Sequence, residues 1–181
     1  MWNLNDIFSK QSFEPIDVIE SPLRFETSSI TCFGDGKGFA IGSIEGRCSI
    51  QNYDFGKNDL GKDAQKDFCF KCHRYENVPT QGVGIVYSVN HINFNKKYNT
   101  FATFGSDGTF ITWNKDMKSK YHSSKRFSLP IQAADFSDNA QFMAYAVGYD
   151  WNQGHESSLK TEPISLIVRV PDQSEVMKQI K

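Results

Sequence analysis

Short runs of alternating apolar and polar residues make up much of the chain. The clearest run covers residues 109–114 (Thr-Phe-Ile-Thr-Trp-Asn), and the Asp-Gly pair before it favours a hairpin turn. Alternation with a period of two is typical of a half-buried β-strand. Similar runs cover residues 28–32, 39–43, 47–53, 67–74 and 164–170. The pattern predicts an all-β chain of short strands, with a first strand at residues 2–4.

Several of these runs recur along the chain. Two segments have copies 42 residues further on, and a third segment aligns without gaps on a later one. The matching pairs are 89–94 with 131–136, 101–104 with 143–146, and 39–46 with 101–108. A period of about 40–45 residues built from short strands is typical of WD40 propeller blades. Phe94 and Phe136 stand at the same place in the repeat, so we expect both to point into the core.

The repeat also predicts how the chain is divided. The predicted units are a lead-in strand and loop (1–27), a blade with an inserted loop (28–84), a second blade (85–128), a third blade (129–170) and a polar tail (171–181). Seven blades of four strands and about 42 residues each would need about 300 residues. This chain has 181 residues, which is enough for about three blades. We therefore expect a partial propeller whose open ends need the missing N-terminal half or another partner.

Composition and charge narrow the function classes. With 39% hydrophobic and 14% aromatic residues, the chain can bury a core. Its 20 basic and 21 acidic residues give a net charge of -1, without the basic excess that sequence-independent nucleic-acid binding needs. No apolar run approaches the roughly 18 residues of a membrane span, and residues 1–6 lack the features of a signal peptide. We therefore expect the four cysteines to lie in a reducing compartment without disulfides.

Residues 69–73 (Cys-Phe-Lys-Cys-His) have the spacing of a haem attachment motif. The alternation through this segment argues for a strand rather than a haem-binding helix. A zinc site would need two further ligands at similar spacing. The remaining candidates form no such pair: Cys32, Cys48, His91, His122 and His155. We expect no cofactor and no metal, and we expect Cys72 to pack inside its blade.

Asp107 lies in the turn before the third strand of its blade. In WD40 blades an aspartate at this place usually holds a structural network with His, Ser and Trp side chains. His91 is in the first strand of the same blade and Trp113 in the third, so we expect these residues to form that network. Ser43 and Ser106 lack the strand–turn–helix setting of a nucleophile. No catalytic set converges, so we do not expect an enzyme.

Residues 149–151 (Tyr-Asp-Trp) interrupt the third blade at a place where a two-residue turn would suffice. A large amphipathic ring on a propeller loop is a typical binding anchor. The alternative is that Trp151 folds back and covers the rim of its own loop. Arg74, at the end of an outer strand, is either a solvated cation or a partner for a carboxylate.

Five segments carry a family resemblance. They are 19–23 (Ile-Glu-Ser-Pro-Leu), 38–47, 70–74 (Phe-Lys-Cys-His-Arg), 105–108 with Trp113, and 149–156, which contains Tyr-Asp-Trp and Gly-His-Glu. Together they resemble the messenger-RNA export factors of the Gle2/Rae1 family, and they occur in that family's order. The elements at 70–74 and 149–155 (Tyr-Asp-Trp-x-x-Gly-His) are specific, whereas Gly-Ser-x-x-Gly turns occur in many WD40 proteins. Asn114 follows the tryptophan where the family usually has Asp, and the related checkpoint protein Bub3 shares the architecture.

The resemblance implies a seven-bladed propeller that docks on the nuclear pore and supports export of poly(A) messenger RNA. The implied partner is a short acidic helical segment, the GLEBS motif, of a Gly-Leu-Phe-Gly nucleoporin, with indirect contact to messenger ribonucleoprotein. The implied localisation is the nucleus, the nuclear envelope and the nuclear pore complex. The expected partner-binding residues are Lys71, Arg74, Phe94, Tyr149, Asp150 and Trp151. Two alternatives stay open: a Bub3-like checkpoint scaffold that binds a similar segment of a kinase, and a truncated propeller that needs a partner half.

Overall fold

Short antiparallel strands dominate the computed structural model, which describes residues 2–53, 66–75, 84–158 and 164–176. Three sheets follow one another along the chain, and we call them blade one, blade two and blade three in that order. The inserted loop predicted at residues 54–63 lies outside the described residues. The prediction of an all-β fold is confirmed.

The strand predicted at residues 2–4 is wrong, because a helix, α1 (Leu4–Lys10), lies there. The side chain of Asn3 accepts a hydrogen bond from the backbone N–H of Asn5 at 2.9 Å and so caps the first turn. Lys10 pairs with Asp6 one turn earlier, at 2.8 Å. Among the described residues, no strand pairs with residues 2–4, so the local capping signal decides the structure of this segment.

Blade one contains β1 (Thr27–Cys32), β2 (Gly38–Ser43), β3 (Arg47–Asn52) and β4 (Phe68–Lys71), paired antiparallel in that order. The strand predicted at 67–74 ends early, because His73 adopts a left-handed backbone conformation with φ of +47°. This turn releases Arg74 from the blade. It belongs instead to a short two-stranded pair formed by β5 (Arg74–Tyr75) and β6 (Ile85–Val86).

Blade two contains β7 (Val89–Asn95), β8 (Thr100–Gly105), β9 (Phe110–Asn114) and β10 (Ser119–Ser123), again in sequential antiparallel order. Gly108 closes the turn between β8 and β9 with φ of +72°, a conformation that an L side chain rarely adopts. The Asp-Gly hairpin signal is therefore confirmed.

Blade three contains β11 (Ile131–Phe136), β12 (Met143–Val147) and β13 (Ser165–Arg169). A short helix, α2 (His155–Ser158), lies between β12 and β13. The repeat predicts four strands per blade, but the described part of blade three has three. After β13 the chain forms the helix α3 (Gln173–Val176) and not an outer strand.

Two apolar cores lie between neighbouring blades. The first joins blades one and two and includes Cys48, Ile50, Val89 and Phe101; the second joins blades two and three and includes Phe104, Phe110, Met143 and Tyr145. Phe94 is 5% exposed in the first core and Phe136 is 8% exposed in the second, so their predicted inward positions are confirmed. Phe94 stacks on Phe101 with ring centroids 5.8 Å apart. Phe94, which we expected to bind a partner, therefore lies in the core, where little of its side chain is left for a partner.

Candidate partner-binding face

A buried hydrogen-bond network joins blade one to blade two. His73 follows β4, and its Nδ1 lies 2.9 Å from Oδ1 of Asp107 while its Nε2 lies 2.9 Å from Oγ1 of Thr103. Thr103 Oγ1 also accepts the indole N–H of Trp113 at 3.0 Å. The indole N–H of Trp113 donates to Thr103, and the ring of His73 bridges the hydroxyl of Thr103 and the carboxylate of Asp107. His73 comes from blade one and the other three from blade two, so the network holds the blades together.

The turn after β8 supports Asp107 from its own side. The backbone N–H and the hydroxyl of Thr109 donate to the Asp107 carboxylate at 3.0 and 2.9 Å. Gly105 has no room for a side chain, because a Cβ there would lie 2.2 Å from Nδ1 of His73. Burial works to raise the pKa of Asp107, but the hydrogen bonds and charge of His73 and the bonds from Thr109 hold that pKa below its ordinary value. The aspartate is therefore a charged structural acceptor.

His91 is not part of this network, contrary to the expectation. Its ring lies 6.3 Å from the ring of Phe104. Burial lowers the pKa of His91, although a backbone hydrogen bond with Ala134 and the charge of Asp135 oppose that shift. The prediction required both partners to come from one blade, whereas the histidine that reaches Asp107 comes from the end of the preceding blade. In the sequence, that histidine is His73 of the Phe-Lys-Cys-His-Arg segment, one of the segments that carry the family resemblance.

The guanidinium of Arg74 rests on the turn between β2 and β3. Its Nε donates to the carbonyl of Gly46 at 3.1 Å, and its Nη2 donates to the carbonyl of Glu45 at 2.6 Å. The side chain is half-buried. Two backbone carbonyls therefore hold the guanidinium of Arg74 in place, so it is not the freely solvated cation that the sequence left as an alternative.

Arg74 lines a cleft of about 460 Å³ between the outer strands of blades one and two. Three further cations line the same cleft: Lys71, Lys120 and Arg126. Among the described lining residues, Asp107 is the only carboxylate, and its hydrogen bonds with His73 and Thr109 already engage it. The cleft is therefore cationic. Sequence reasoning missed Lys120 and Arg126, because no local pattern shows that they face the end of blade one.

Aromatic rings border the same cleft. The guanidinium carbon of Arg126 lies 5.4 Å from the ring of Tyr75 and 5.5 Å from the ring of Tyr87. A smaller cleft of about 260 Å³ lies nearby and is lined by Phe68, Phe70, Trp113 and Lys118, among others. The alternating phenylalanines of β4 are the sequence signal for this apolar lining.

The loop after β12 presents Trp151. The carboxylate of Asp150 accepts hydrogen bonds from the side-chain amide of Asn90, at 2.8 Å, and from the hydroxyl of Ser106. Tyr149 donates from its hydroxyl to the carbonyl of Gly154 at 2.8 Å. Trp151 is 62% exposed, so the structure does not show it folded back over its own loop. Asp150 and Tyr149 hold the loop in shape, and Trp151 is its accessible ring.

Arg74 and Trp151 lie at the same end of the blades. Neighbouring strands run antiparallel in each sheet, so the turn after β2, the turn after β8 and the loop after β12 all lie at one end. Arg74 bonds to the turn after β2, and His73 bonds to the turn after β8. Asp150, in the loop after β12, bonds to the turn after β8. We call this end the upper face. Of the predicted partner-binding set, it gathers Arg74 and residues 149–151, Lys71 lies in the adjoining cleft, and Phe94 is in the core.

The cysteines form no candidate metal centre. Within the described ranges, no group of three or more His, Cys, Asp or Glu residues is placed to hold a metal ion. The thiols of Cys48 and Cys72 lie 3.7 Å apart in the core, and burial together with the contact to Cys72 raises the pKa of Cys48 well above its ordinary value. A thiol in such a site is unreactive. Cys72 packs inside the blade as predicted.

Comparison with known proteins places the chain in a family. No protein-family model matches the chain. It is 40% identical over 150 residues to the "mRNA export factor GLE2" of Chaetomium thermophilum, 39% identical over 159 residues to "Protein RAE1" of Arabidopsis thaliana, and 37% identical over 154 residues to the "WD40 repeat protein poxJ" of Penicillium oxalicum. The alignments cover 83%, 87% and 85% of this chain. The chain belongs to the Gle2/Rae1 family of WD40 proteins.

This Gle2/Rae1 chain is shorter than its relatives. It spans 40%, 42% and 43% of the three relatives, in the same order. Three blades in place of a full ring agree with that coverage, and the predicted partial WD40 propeller is confirmed. Across the parts of the chain that the structure describes, no helix is long and apolar enough to cross a membrane.

Proposed function

We propose that this chain is part of a nuclear scaffold for export of poly(A) messenger RNA, and that it docks at the nuclear pore by binding an acidic helical segment of a Gly-Leu-Phe-Gly nucleoporin, the GLEBS motif. The observation that carries the proposal is the upper face, where a cationic cleft and an exposed tryptophan lie at the same end of the blades. The name of one relative, the mRNA export factor GLE2, supports the export role. The proposed function is therefore partner binding.

The charge of the cleft suits an acidic ligand. Lys71, Arg74, Lys120 and Arg126 surround it, and the buried Asp107 is satisfied by its own partners. The two bonds from Arg74 to backbone carbonyls hold its guanidinium in place. A guanidinium has five N–H donors, so donors remain for a carboxylate. A cation that is already positioned loses less conformational entropy on binding than a free side chain does.

Trp151 supplies the apolar part of the site. Its backbone has a φ of +62°, which is unusual for a residue with a side chain. Strained conformations of this kind persist where the surrounding structure holds them, and they cluster at ligand contacts. The bonds of Asp150 to Asn90 and Ser106 hold this loop. The exposed indole can then be buried by a helix without rearrangement of the loop.

The proposal is tested by titrating a fluorescent acidic nucleoporin peptide against variants of the chain. Each variant is co-expressed with the N-terminal blades of a relative, so that the propeller is closed. Trp151→Ala should weaken binding about 30-fold, corresponding to about 2 kcal/mol. Arg74→Ala and Lys120→Ala should each weaken binding at low salt and matter less at high salt, because the contacts are charged. The matched controls are Trp2→Ala, which removes a ring that is 58% exposed, and Lys97→Ala, in the turn at the opposite end of blade two. Both controls should bind as the unmodified chain does.

The outcomes separate the alternatives. Unchanged affinity in the Arg74→Ala and Trp151→Ala variants would place the site on other blades of the propeller. Tighter binding of an acidic segment from a checkpoint kinase than of the nucleoporin segment would favour the Bub3-like alternative.

A further inference from the structure

The outer strands of blades one and two differ at equivalent positions. In blade one, Phe70 pairs with Cys48 and Phe68 pairs with Ile50, and both rings face blade two. Phe70 lies 4.6 Å from the ring of Trp113, measured between centroids. These two aromatic side chains complete the outer part of the core between blades one and two.

Blade two places polar residues at those two positions. By the alignment of residues 39–46 with 101–108, Thr112 corresponds to Ile50 and Phe110 to Cys48. The residue opposite Thr112 is His122. Ser124 stands opposite Phe110, and its hydroxyl accepts the backbone N–H of Phe110 at 2.9 Å. At these two positions the outer strand of blade two therefore brings a histidine and a serine to the contact with blade three, where blade one has two phenylalanines.

The C-terminal segment fills the place that those rings would take. Val176, at the end of α3, is 3% exposed and packs in the core with Phe104, Phe110 and Tyr145. Its carbonyl accepts the hydroxyl hydrogen of Thr100 at 3.0 Å. The helix lies against β10 and β9 of blade two, although it follows the last strand of blade three.

Glu175 connects the two blades through its carboxylate. It is 4% exposed. One oxygen lies 3.3 Å from Nε2 of His122 in blade two, and the other accepts hydrogen bonds from the guanidinium of Arg169 in blade three and from the backbone N–H of Asp172 at 3.0 Å. Arg169 in turn lies 5.7 Å from the centre of the Phe110 ring. A buried carboxylate with partners on two blades is sensitive to the spacing between them.

We propose that residues 172–176 act as an intramolecular ligand that substitutes for an aromatic outer-strand contact and holds blade three to blade two, with Glu175 bound to both. We call this segment the C-terminal clasp. The position of blade three then depends on the clasp, whichever partner the upper face binds.

Hydrogen exchange on a soluble preparation of the full chain tests the clasp directly. Glu175→Gln keeps the size of the side chain but removes the charge that faces Arg169, so amides of β13 and α3 should exchange about tenfold faster while β2 and β3 of blade one stay unchanged. Glu156→Gln, an exposed substitution in the same blade, is the matched control and should leave all rates unchanged. Unchanged rates in β13, or equal acceleration in every blade, would overturn the proposal.

A second pair of variants tests whether the C-terminal clasp occupies the space that an aromatic side chain at position 122 would take. In the full chain, His122→Phe removes a partner of Glu175 and crowds α3, so the melting temperature should fall. After deletion of residues 172–181, the same His122→Phe change should raise the melting temperature, because the ring enters a space that blade one fills with Phe68. A fall in both backgrounds would show that the clasp and the ring do not occupy the same place, and would refute the proposal. If the deleted chain does not fold, rescue of folding by His122→Phe is the supporting result and failure of rescue is the contrary one.

Discussion

Replacement of Asp107 by alanine should weaken the contact between blades one and two. The carboxylate accepts hydrogen bonds from the ring of His73 at 2.9 Å, and from the backbone N–H and hydroxyl of Thr109 at 3.0 and 2.9 Å. Alanine leaves the ring N–H and the backbone N–H without an acceptor in a buried site. Each orphaned donor costs about 1–3 kcal/mol, and the hydroxyl can rotate to another acceptor. With two such donors, we therefore expect the free energy of unfolding to fall by about 2–6 kcal/mol.

The effect should also depend on pH, with a defined sign. The pKa of Asp107 is lowered in the folded chain from an ordinary value of 3.8. Its stabilising contribution is therefore complete above that ordinary pKa and is lost as the pH falls through the lower pKa of the folded state. The difference in stability between the unmodified chain and Asp107→Ala should be constant near neutral pH and shrink below about pH 4.

Urea unfolding of a soluble preparation measures this difference. Asp107→Asn keeps one acceptor oxygen, so it should lose less stability than Asp107→Ala does. Asp138→Ala removes an exposed carboxylate that pairs with Lys96 at the surface, and it serves as the control. A loss below about 0.5 kcal/mol for Asp107→Ala, the level of ordinary surface changes, would refute the assignment of Asp107 to an inter-blade network.

Two further predictions concern packing and closure. Trp113→Ala should lower the free energy of unfolding by about 3–5 kcal/mol in urea, because the ring packs 4.6 Å from Phe70 and its N–H bonds Thr103; Trp113→Phe should lose less, since it keeps most of the ring. The outer side of β13 exposes Leu166 and Val168, so co-expression with the N-terminal blades of a relative should raise the soluble yield of the chain, and a monomeric cooperative melt of the isolated chain would contradict that expectation.

The sequence predicts the strands of blades one and two well, because those strands encode their own pattern. Alternation fixes which side chains point inward, and the Asp-Gly pair before β9 fixes a turn that needs a positive φ. The 42-residue offset between Phe94 and Phe136 then predicts equivalent buried positions, and the structure shows them. Signals of this kind are local, or they repeat at a constant spacing.

The parts that the sequence does not predict depend on contacts between blades. His73 reaches Asp107 from the preceding blade, and a search within one blade selects His91 instead. The helix α3 has four residues and no strong local signal; its place depends on the burial of Glu175 and Val176 against a neighbouring blade. The cationic cleft likewise gathers Lys71 and Arg126 from distant positions in the sequence. Such arrangements become visible only when the sheets are placed side by side.

A structure of the chain, closed into a full propeller by the N-terminal blades of a relative and bound to an acidic nucleoporin peptide, would show whether the upper face is the binding site. We expect the peptide to lie on the upper face, with its carboxylates within hydrogen-bond distance of Arg74 or Arg126 and with the ring of Trp151 covered. A peptide bound at the opposite end of the blades, near Lys97, with Trp151 still exposed, would refute the proposed binding site.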